Sequence, residues 1–373
     1  MNDGDQGLEA LRNDILEHLR SQGFSVENGN CNDMSDKQLL RNVHAIKKVE
    51  ELERHEKALS RARKEVEKHF ISGSELDPEN IDLELIEVRS NTKNSRLFLW
   101  WNLMWWSLPY ERAFGRQMRF ILWDRYHDAP FGLIGLQSPP LSSSVRDRHL
   151  GLSPKEKDYW INQSMYGQRI GALPPYNMLL GGKMVTMALT SNEVREAYRR
   201  KYENRKTEMR GRILPSELLF ISTTSAFGKS SMYERVHFND DKVSEFIGYS
   251  SGAGTFQFSQ ELYERMLEML VNNGHETIRG YGSGPSRKMK LISDGLRMLG
   301  IKNYHYHGIR RGYYLFPSVR NLKEVIHSDE EPDHFDRPIE ELNEYWMRRY
   351  CLPRSQREKS WKEFNILMEL GLL

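Results

Sequence analysis

The chain has 373 residues, more than one compact domain usually holds, so a main core with a second helical module is expected. Its 38% hydrophobic and 28% charged residues are the composition of a soluble globular protein, and a formal net charge of +2 argues for no particular partner. Cys31 and Cys351 lie near opposite ends without a CxxC spacing or a neighbouring His cluster, which speaks against a disulfide framework and a thiolate zinc site. The first residues, from Met1 to Asp5, carry neither the basic region nor the apolar stretch of a secretory signal, so the cytoplasm is the expected compartment.

Leu8, Leu11, Ile15, Leu16 and Leu19 recur at helical spacing, and Gly23 is expected to end that first helix. A second run from Ser35 to Phe70 places Leu39, Leu40, Val43, Ile46, Val49 and Leu52 on one face with Glu, Lys and Arg opposite, the pattern of a helical arm. Alternation from Ile81 to Val88 predicts a half-buried strand. Leu97 to Trp106 reads LFLWWNLMWW, far short of the roughly 20 apolar residues of a membrane span and interrupted by Asn102, so a buried helix is expected. Met118 to Trp123 and Phe131 to Leu136 predict an antiparallel pair joined by a turn over His127, Asp128, Ala129 and Pro130.

Further on, Tyr166 to Ala172 predicts a strand, Met178 to Lys206 one helix, and Leu218 to Thr223 another strand. Thr277 to Arg279 reads as a brief strand, Ser286 to Leu299 as a helix stopped by Gly300, and Tyr313 to Phe316 as a final strand. The acidic stretch from Ser328 to Glu341, with Pro332 and Pro338, reads as a linker to a last pair of helices.

Three places invite chemistry. Gly171, Ala172, Leu173, Pro174, Pro175 and Tyr176 lead to Asn177, which can cap the following helix, and Gly181 and Gly182 put bare backbone in its first turns. Glycine there costs about 1 kcal/mol against alanine, so something offsets it: close packing on a strand, or close approach of an anion held by the helix N-terminus and Lys183. Gly228, Lys229 and Ser230 match the end of a Walker A loop, but Thr223 stands where its first glycine is needed, which removes the NTPase reading. The hydroxyls of Ser222 to Ser225 remain possible ligand contacts, or satisfy local backbone.

The third place is basic. Gly280 to Pro285 lacks the glycine spacing of a dinucleotide fingerprint, yet it opens a helix carrying Arg287, Lys288 and Lys290, and Tyr304 to Tyr314 interleaves His305, His307, Arg310 and Arg311 with tyrosines. Arginines hold phosphates while aromatic faces stack on exposed bases, so this part reads as a nucleic-acid or nucleotide surface. Elsewhere, Arg146, Asp147, Arg148 and His149 form a dense polar cluster in which the aspartate either orients an arginine or makes a structural ion pair. No metal-ligand spacing emerges, and no cofactor is assigned.

The ordered set YERAFGRQMRFILWD (Tyr110 to Asp124), FGLIGLQSPP (Phe131 to Pro140), RDRHLG (Arg146 to Gly151), Gly171 to Lys183 and TSAFGKSSMYER (Thr224 to Arg235) resembles the DruA family of bacterial Druantia antiphage systems. GSGPSRKM (Gly282 to Met289) and HGIRR (His307 to Arg311) extend the resemblance over most of residues 95 to 320. It implies a subunit of a multigene defence system that includes a large helicase-like protein. The order of elements is also similar to the acyl-CoA N-acyltransferase fold, in which a tyrosine after the fifth strand protonates the leaving thiolate. Tyr233 would take that part, with Asp124 or Asp147 as a base, although the glycine-rich pyrophosphate signature is absent.

The expected fold is therefore α+β, a mixed and largely antiparallel sheet flanked by helices. Residues 1–85 form the helical arm, 86–325 the mixed core, and 326–373 the acidic linker and C-terminal helices. The expected role is nucleic-acid or nucleotide binding within a defence system, through Arg287, Lys288, Lys290, His307, Arg310 and Arg311. Gly171, Asn177, Gly181, Gly182, Lys183, Ser225, Lys229 and Ser230 are the candidate phosphate contacts. An acyltransferase or base-modifying enzyme and a scaffold for other subunits are the alternatives.

Overall fold

Strands in the centre of this molecule bury both faces, so their sequences run almost continuously apolar instead of alternating with polar residues. The computed structural model describes residues 3–21, 26–27, 30–31, 37–106, 113–208, 210–226, 228–250, 258–277, 287–301 and 310–371. One sheet holds seven strands: β1 (Leu83–Glu87), β2 (Gln117–Asp124), β3 (Ala129–Gln137), β4 (Ser164–Ala172), β5 (Phe220–Thr224), β6 (Glu245–Tyr249) and β7 (Gly312–Pro317). In space they lie in the order β6, β7, β5, β4, β3, β2, β1. The pairs β1/β2, β2/β3, β3/β4 and β5/β7 are antiparallel, and β4 and β5 run parallel. The α+β expectation, a mixed and mostly antiparallel sheet between helices, is what the chain adopts.

Side-chain alternation sorts β2 onto two cores. Met118, Phe120 and Leu122 meet Met184, Val185, Leu342 and Trp346, from the helices Gly181–Ala188 and Ile339–Trp346. Ile121 and Trp123 meet Leu97, Phe98, Trp100 and Trp101 of the helix Lys93–Met104. Thr92 caps that helix by accepting from the Ser95 amide, and the tryptophan-rich run is buried as expected. Each fully buried side chain of this size stabilises the fold by roughly 1.5–3 kcal/mol over leaving it in water. Asn102, the polar break in that run, accepts a hydrogen bond from Arg169 Nε at 2.6 Å.

Arg116 fastens the start of β2 to the turn before β4. Its guanidinium donates to the carbonyls of Ile161, Asn162 and Ser164 and to the Tyr198 hydroxyl, and it lies 5.7 Å from the ring centres of both Tyr198 and Tyr202.

β6 has no counterpart in the sequence expectation, and two helical segments depart from it. Met178 to Lys206 is not one helix: a 3-10 turn, Tyr176–Leu179, precedes Gly181–Ala188, and a second helix, Asn192–Tyr202, starts where the Ser191 hydroxyl accepts from the Val194 amide. Ser191 wins as a cap because its side chain satisfies an amide that no helical carbonyl reaches. After the acidic stretch the chain runs on without a loop between helices. Ile339–Trp346 continues through a π turn, Met347–Cys351, into Leu352–Arg357. Pro353 has no N–H for the Arg349 carbonyl, and the turn widens so that the Leu352 amide reaches Met347 O instead.

The chain divides into two compact units. The smaller comprises residues 1–47, 226–228 and 249–312. Its core joins Leu11, Ile15 and Leu19 of Asp3–Ser21 to Leu262 and Met266 of Gln260–Asn272 and to Leu291 and Ile292 of Arg287–Met298. Gly300, at φ +68°, follows that last helix where a stop is expected. The larger unit comprises 48–225, 229–248 and 313–373 and contains nearly all of the sheet. Among the described residues, no helix is long and apolar enough to cross a membrane.

Candidate functional site

At the proline and glycine corner, β4 ends against β3 with the Leu173 amide donating to Phe131 O at 2.8 Å. The chain then passes Tyr176–Leu179 and turns at Leu180, φ +61°, into the helix Gly181–Ala188. Close packing accounts for the glycines. A Cβ on Gly181 would fall 2.7 Å from Tyr176 O and 2.9 Å from the Ala172 Cβ, and one on Gly182 would fall 2.8 Å from the Met232 sulfur. Gly171 is packed in the same way, with Trp106 2.8 Å from where its Cβ would be. Asn177 is exposed within the 3-10 turn, so Leu180 and not Asn177 occupies the N-cap.

Lys183 leaves the first turn of that helix and donates to the carbonyls of Ser231 at 3.2 Å and Glu234 at 2.9 Å. Its ammonium lies 5.4 Å from the Tyr350 ring centre. Burial, and then the charge of Arg235, pull its pKa below the ordinary lysine value. A cleft of about 940 Å³ opens there, lined by Leu180, Lys183, Ser231, Glu234, Arg235, His237, Asn239, Tyr345, Arg349, Tyr350 and Arg357. Three parts of the chain converge on it: the corner, the turn and short ladder at 231–239, and the π turn with the helix after it.

Charge in this cleft is one-sided. Lys183, Arg235, Arg349 and Arg357 face a single acid, Glu234, which is already engaged by Lys229 Nζ at 3.5 Å and the Tyr314 hydroxyl at 3.3 Å. Arg235 and Arg349 make no ion pair with any acid among the described residues. The Tyr350 hydroxyl donates to Arg235 O at 3.4 Å, and Tyr345 packs edge-on against Phe238 at 5.3 Å. Cations without ion-pair partners beside aromatic rings in one recess can attract an anion with apolar parts.

A family model described as Druantia protein DruA matches residues 34–328 of the chain. The chain belongs to the DruA family. It is 29% identical over 359 residues to the Druantia protein DruA of Escherichia coli strain UMEA 4076-1, covering 94% of this chain and 89% of that one. No solved structure matches it. Within this DruA-family chain, Lys183, Ser231, Glu234, Arg235, His237 and Asn239 lie inside the matched segment, whereas Tyr345, Arg349, Tyr350 and Arg357 lie beyond its end.

Asp124, Asp147, Ser225, Lys229, Ser230 and Tyr233, picked out from the sequence, do not line the cleft. Tyr233 is buried against Tyr314 and Phe316, at ring distances of 5.0 and 5.5 Å, and burial followed by the nearby Tyr166 pushes its phenol well up. Asp124 has no exposed surface and accepts from Tyr176 Oη at 2.9 Å, from His127 Nδ1 at 2.6 Å, and from the amides of Asp82 and Tyr126 at 3.2 Å each. Asp147 accepts twice from the fully buried Arg146, at 2.9 and 2.7 Å, and lies 3.9 Å from Lys157 Nζ, so the aspartate of the dense polar cluster makes structural ion pairs. Ser225 is buried at the end of β5, Lys229 lies 4.3 Å from the Phe246 ring centre, and the Ser230 amide donates to Tyr314 Oη at 2.9 Å.

In the smaller unit, Lys288 lies 4.9 Å from the Tyr263 ring centre and exposed Arg310 lies 5.0 Å from that of Tyr249, while Lys290 is exposed and Arg311 half-buried. Arg287 begins its helix. His307, the loop from Gly280 to Pro285 and Tyr304 to Tyr306 lie outside the described residues. Of the phosphate candidates, Lys183 reaches the cleft wall with Gly181 and Gly182 just before it, and Gly171 packs elsewhere. Sequence reasoning missed Arg235, Tyr345, Arg349, Tyr350 and Arg357. A signal was there: Tyr345 to Arg357, YWMRRYCLPRSQR, interleaves arginines with tyrosines as plainly as Tyr304 to Tyr314 does.

Proposed function

We propose that this chain, a Druantia antiphage defence subunit by its family, binds nucleic acid and holds its phosphates in the cleft through Lys183, Arg235, Arg349 and Arg357. Other Druantia subunits, a helicase-like protein among them, are its partners in this reading. The observation that carries it is the uncompensated charge: four cations and one already engaged acid line a single recess. Arg235, Arg349 and Arg357 are exposed, so water screens part of their mutual repulsion, and a phosphate chain lying across them relieves what remains while releasing its own counterions.

The test is affinity for an oligonucleotide against salt. Arg235→Ala with Arg349→Ala is expected to weaken binding by about tenfold or more at low salt and to reduce the slope of log K on log salt by about 2. The same measurement on Arg310→Ala with Arg311→Ala tells whether the smaller unit adds contacts. Binding that is equal and salt-insensitive in all three proteins would overturn the proposal.

The sheet supports a second reading, an acyltransferase. β4 and β5 pair in parallel only at Ser164/Phe220, Met165/Ile221 and Tyr166/Ser222. Beyond that point side chains bridge them, Thr223 Oγ1 donating to Gly167 O at 2.6 Å and Tyr166 Oη meeting Thr224 Oγ1 at 2.7 Å. In the acyltransferase fold the corresponding strands part to admit acyl-CoA, and Tyr233, next to the place where main-chain pairing stops here, would be the proton donor. On this reading an acyl-CoA raises the melting temperature, and Tyr233→Phe slows transfer more than it weakens binding. No thermal shift with any acyl-CoA would count against it.

A further inference from the structure

Beyond phosphate, the cleft offers groups that an intact duplex cannot use. Tyr345 and Tyr350 present rings, and His237 and Asn239 present hydrogen-bonding side chains from the short ladder His237–Phe238 and Asp241–Lys242 and its connecting turn. In a duplex the base faces are stacked and the pairing edges are occupied, so protein elements reach it from outside, as a convex helix or ribbon set into a groove. Here the protein supplies the concavity, and at about 940 Å³ it is near the upper end of the ~300–1,000 Å³ recesses that enclose one small ligand.

We infer that the cleft takes a single strand, with Arg235 and Arg349 on the phosphates and at least one base unstacked against Tyr350. The inference rests on the nucleic-acid reading above and narrows it. Tyr350 is suited to the task because its ring is fixed before any ligand arrives: its hydroxyl donates to Arg235 O and the Lys183 ammonium lies over the ring. Stacking on a ring already held in place costs little ordering entropy. The π turn Met347–Cys351 carries both Arg349 and Tyr350, so a phosphate contact and a stacking contact come from adjacent residues on one element.

Fluorescence anisotropy on the full chain separates the possibilities with four probes of one sequence: a labelled single strand, its duplex, the same strand with abasic sites replacing the bases, and unlabelled mononucleotides as competitors. The single strand is expected to bind at least tenfold more tightly than the duplex and than the abasic strand, with mononucleotides competing poorly. Tyr350→Ala should lose about tenfold for the normal strand and little for the abasic one, while Tyr350→Phe stays within about twofold of wild type. Melting temperatures of both variants show that the fold is kept, and Tyr350→Phe keeps the ring should Tyr350→Ala fail to fold. Duplex binding as tight as single-strand binding overturns the inference, as does equal affinity for normal and abasic strands or full competition by mononucleotides. If Arg235→Ala with Arg349→Ala weakens no probe at all, the nucleic-acid reading itself falls, and the two failures are thus distinguishable.

Discussion

Around Arg116, every part of the guanidinium has a place: three carbonyls, a hydroxyl and two flanking tyrosine rings receive it. Around the cleft, Arg235 and Arg349 sit beside other cations with no acid paired to them among the described residues. The two regions use the same functional group in opposite ways. In the first, charge is satisfied within the chain and serves the fold. In the second, on the function proposed above, charge is left for a ligand, so its removal should be felt in binding and hardly at all in stability.

That contrast can be broken by unfolding measurements. The largest effect is expected for Asp124→Ala, about 3–5 kcal/mol, because Tyr176 Oη and His127 Nδ1 are then buried without an acceptor at roughly 1–3 kcal/mol each. Arg116→Met should cost about 2–3 kcal/mol through its lost charge-assisted bonds. Either variant as stable as wild type in chemical denaturation would show that these networks are not what holds β2 and its neighbours.

Cys351 gives a smaller, pH-dependent effect one residue from the cleft. Burial, and then the nearby Asp124 charge, push its thiol up to about 12 from 9.0. The unfolded chain releases this proton near pH 9 and the folded chain keeps it to about 12, so the contribution is whole below pH 9 and is lost as pH climbs between them. Stability should fall by roughly 1 kcal/mol more between pH 8 and 10 in wild type than in Cys351→Ala. Equal slopes would refute this.

Smallest of all, Arg235→Ala with Arg349→Ala should change stability by no more than about 0.5 kcal/mol, as expected for exposed positions. A loss of 2 kcal/mol or more on denaturation would move these arginines into the same class as Arg116.

Six of the seven strands were legible in the sequence because their signals are local, whereas β6 was not read from it. Met118 to Trp123 and Phe131 to Leu136 are apolar runs of strand length on either side of a Pro-containing turn, and they form β2 and β3. Gly181 and Gly182 stand out in the sequence as places where something comes close, but that Met232 is what packs on Gly182 is set by a residue about 50 positions away. The cleft was harder for the same reason. Lys183, Arg235 and Arg349 belong to three elements with no shared period, and the π turn that aligns Arg349 with Tyr350 interrupts the helical spacing by which a face is recognised. Single-sequence patterns report on the turn of chain they occupy; a cleft is a property of turns that meet.

The make-up of the smaller unit has a consequence in time. Leu11, Ile15 and Leu19 pack on Leu262, Met266 and Leu291, some 250 residues later in the chain. At the usual pace of synthesis, about 5–20 residues per second, the first helix waits on the order of 12–50 s before its partners leave the ribosome. For that interval its apolar stripe has no native surface to cover it, while β1 to β5 are already made and can pair. The helix Asp3–Ser21 is therefore among the last elements to find its place.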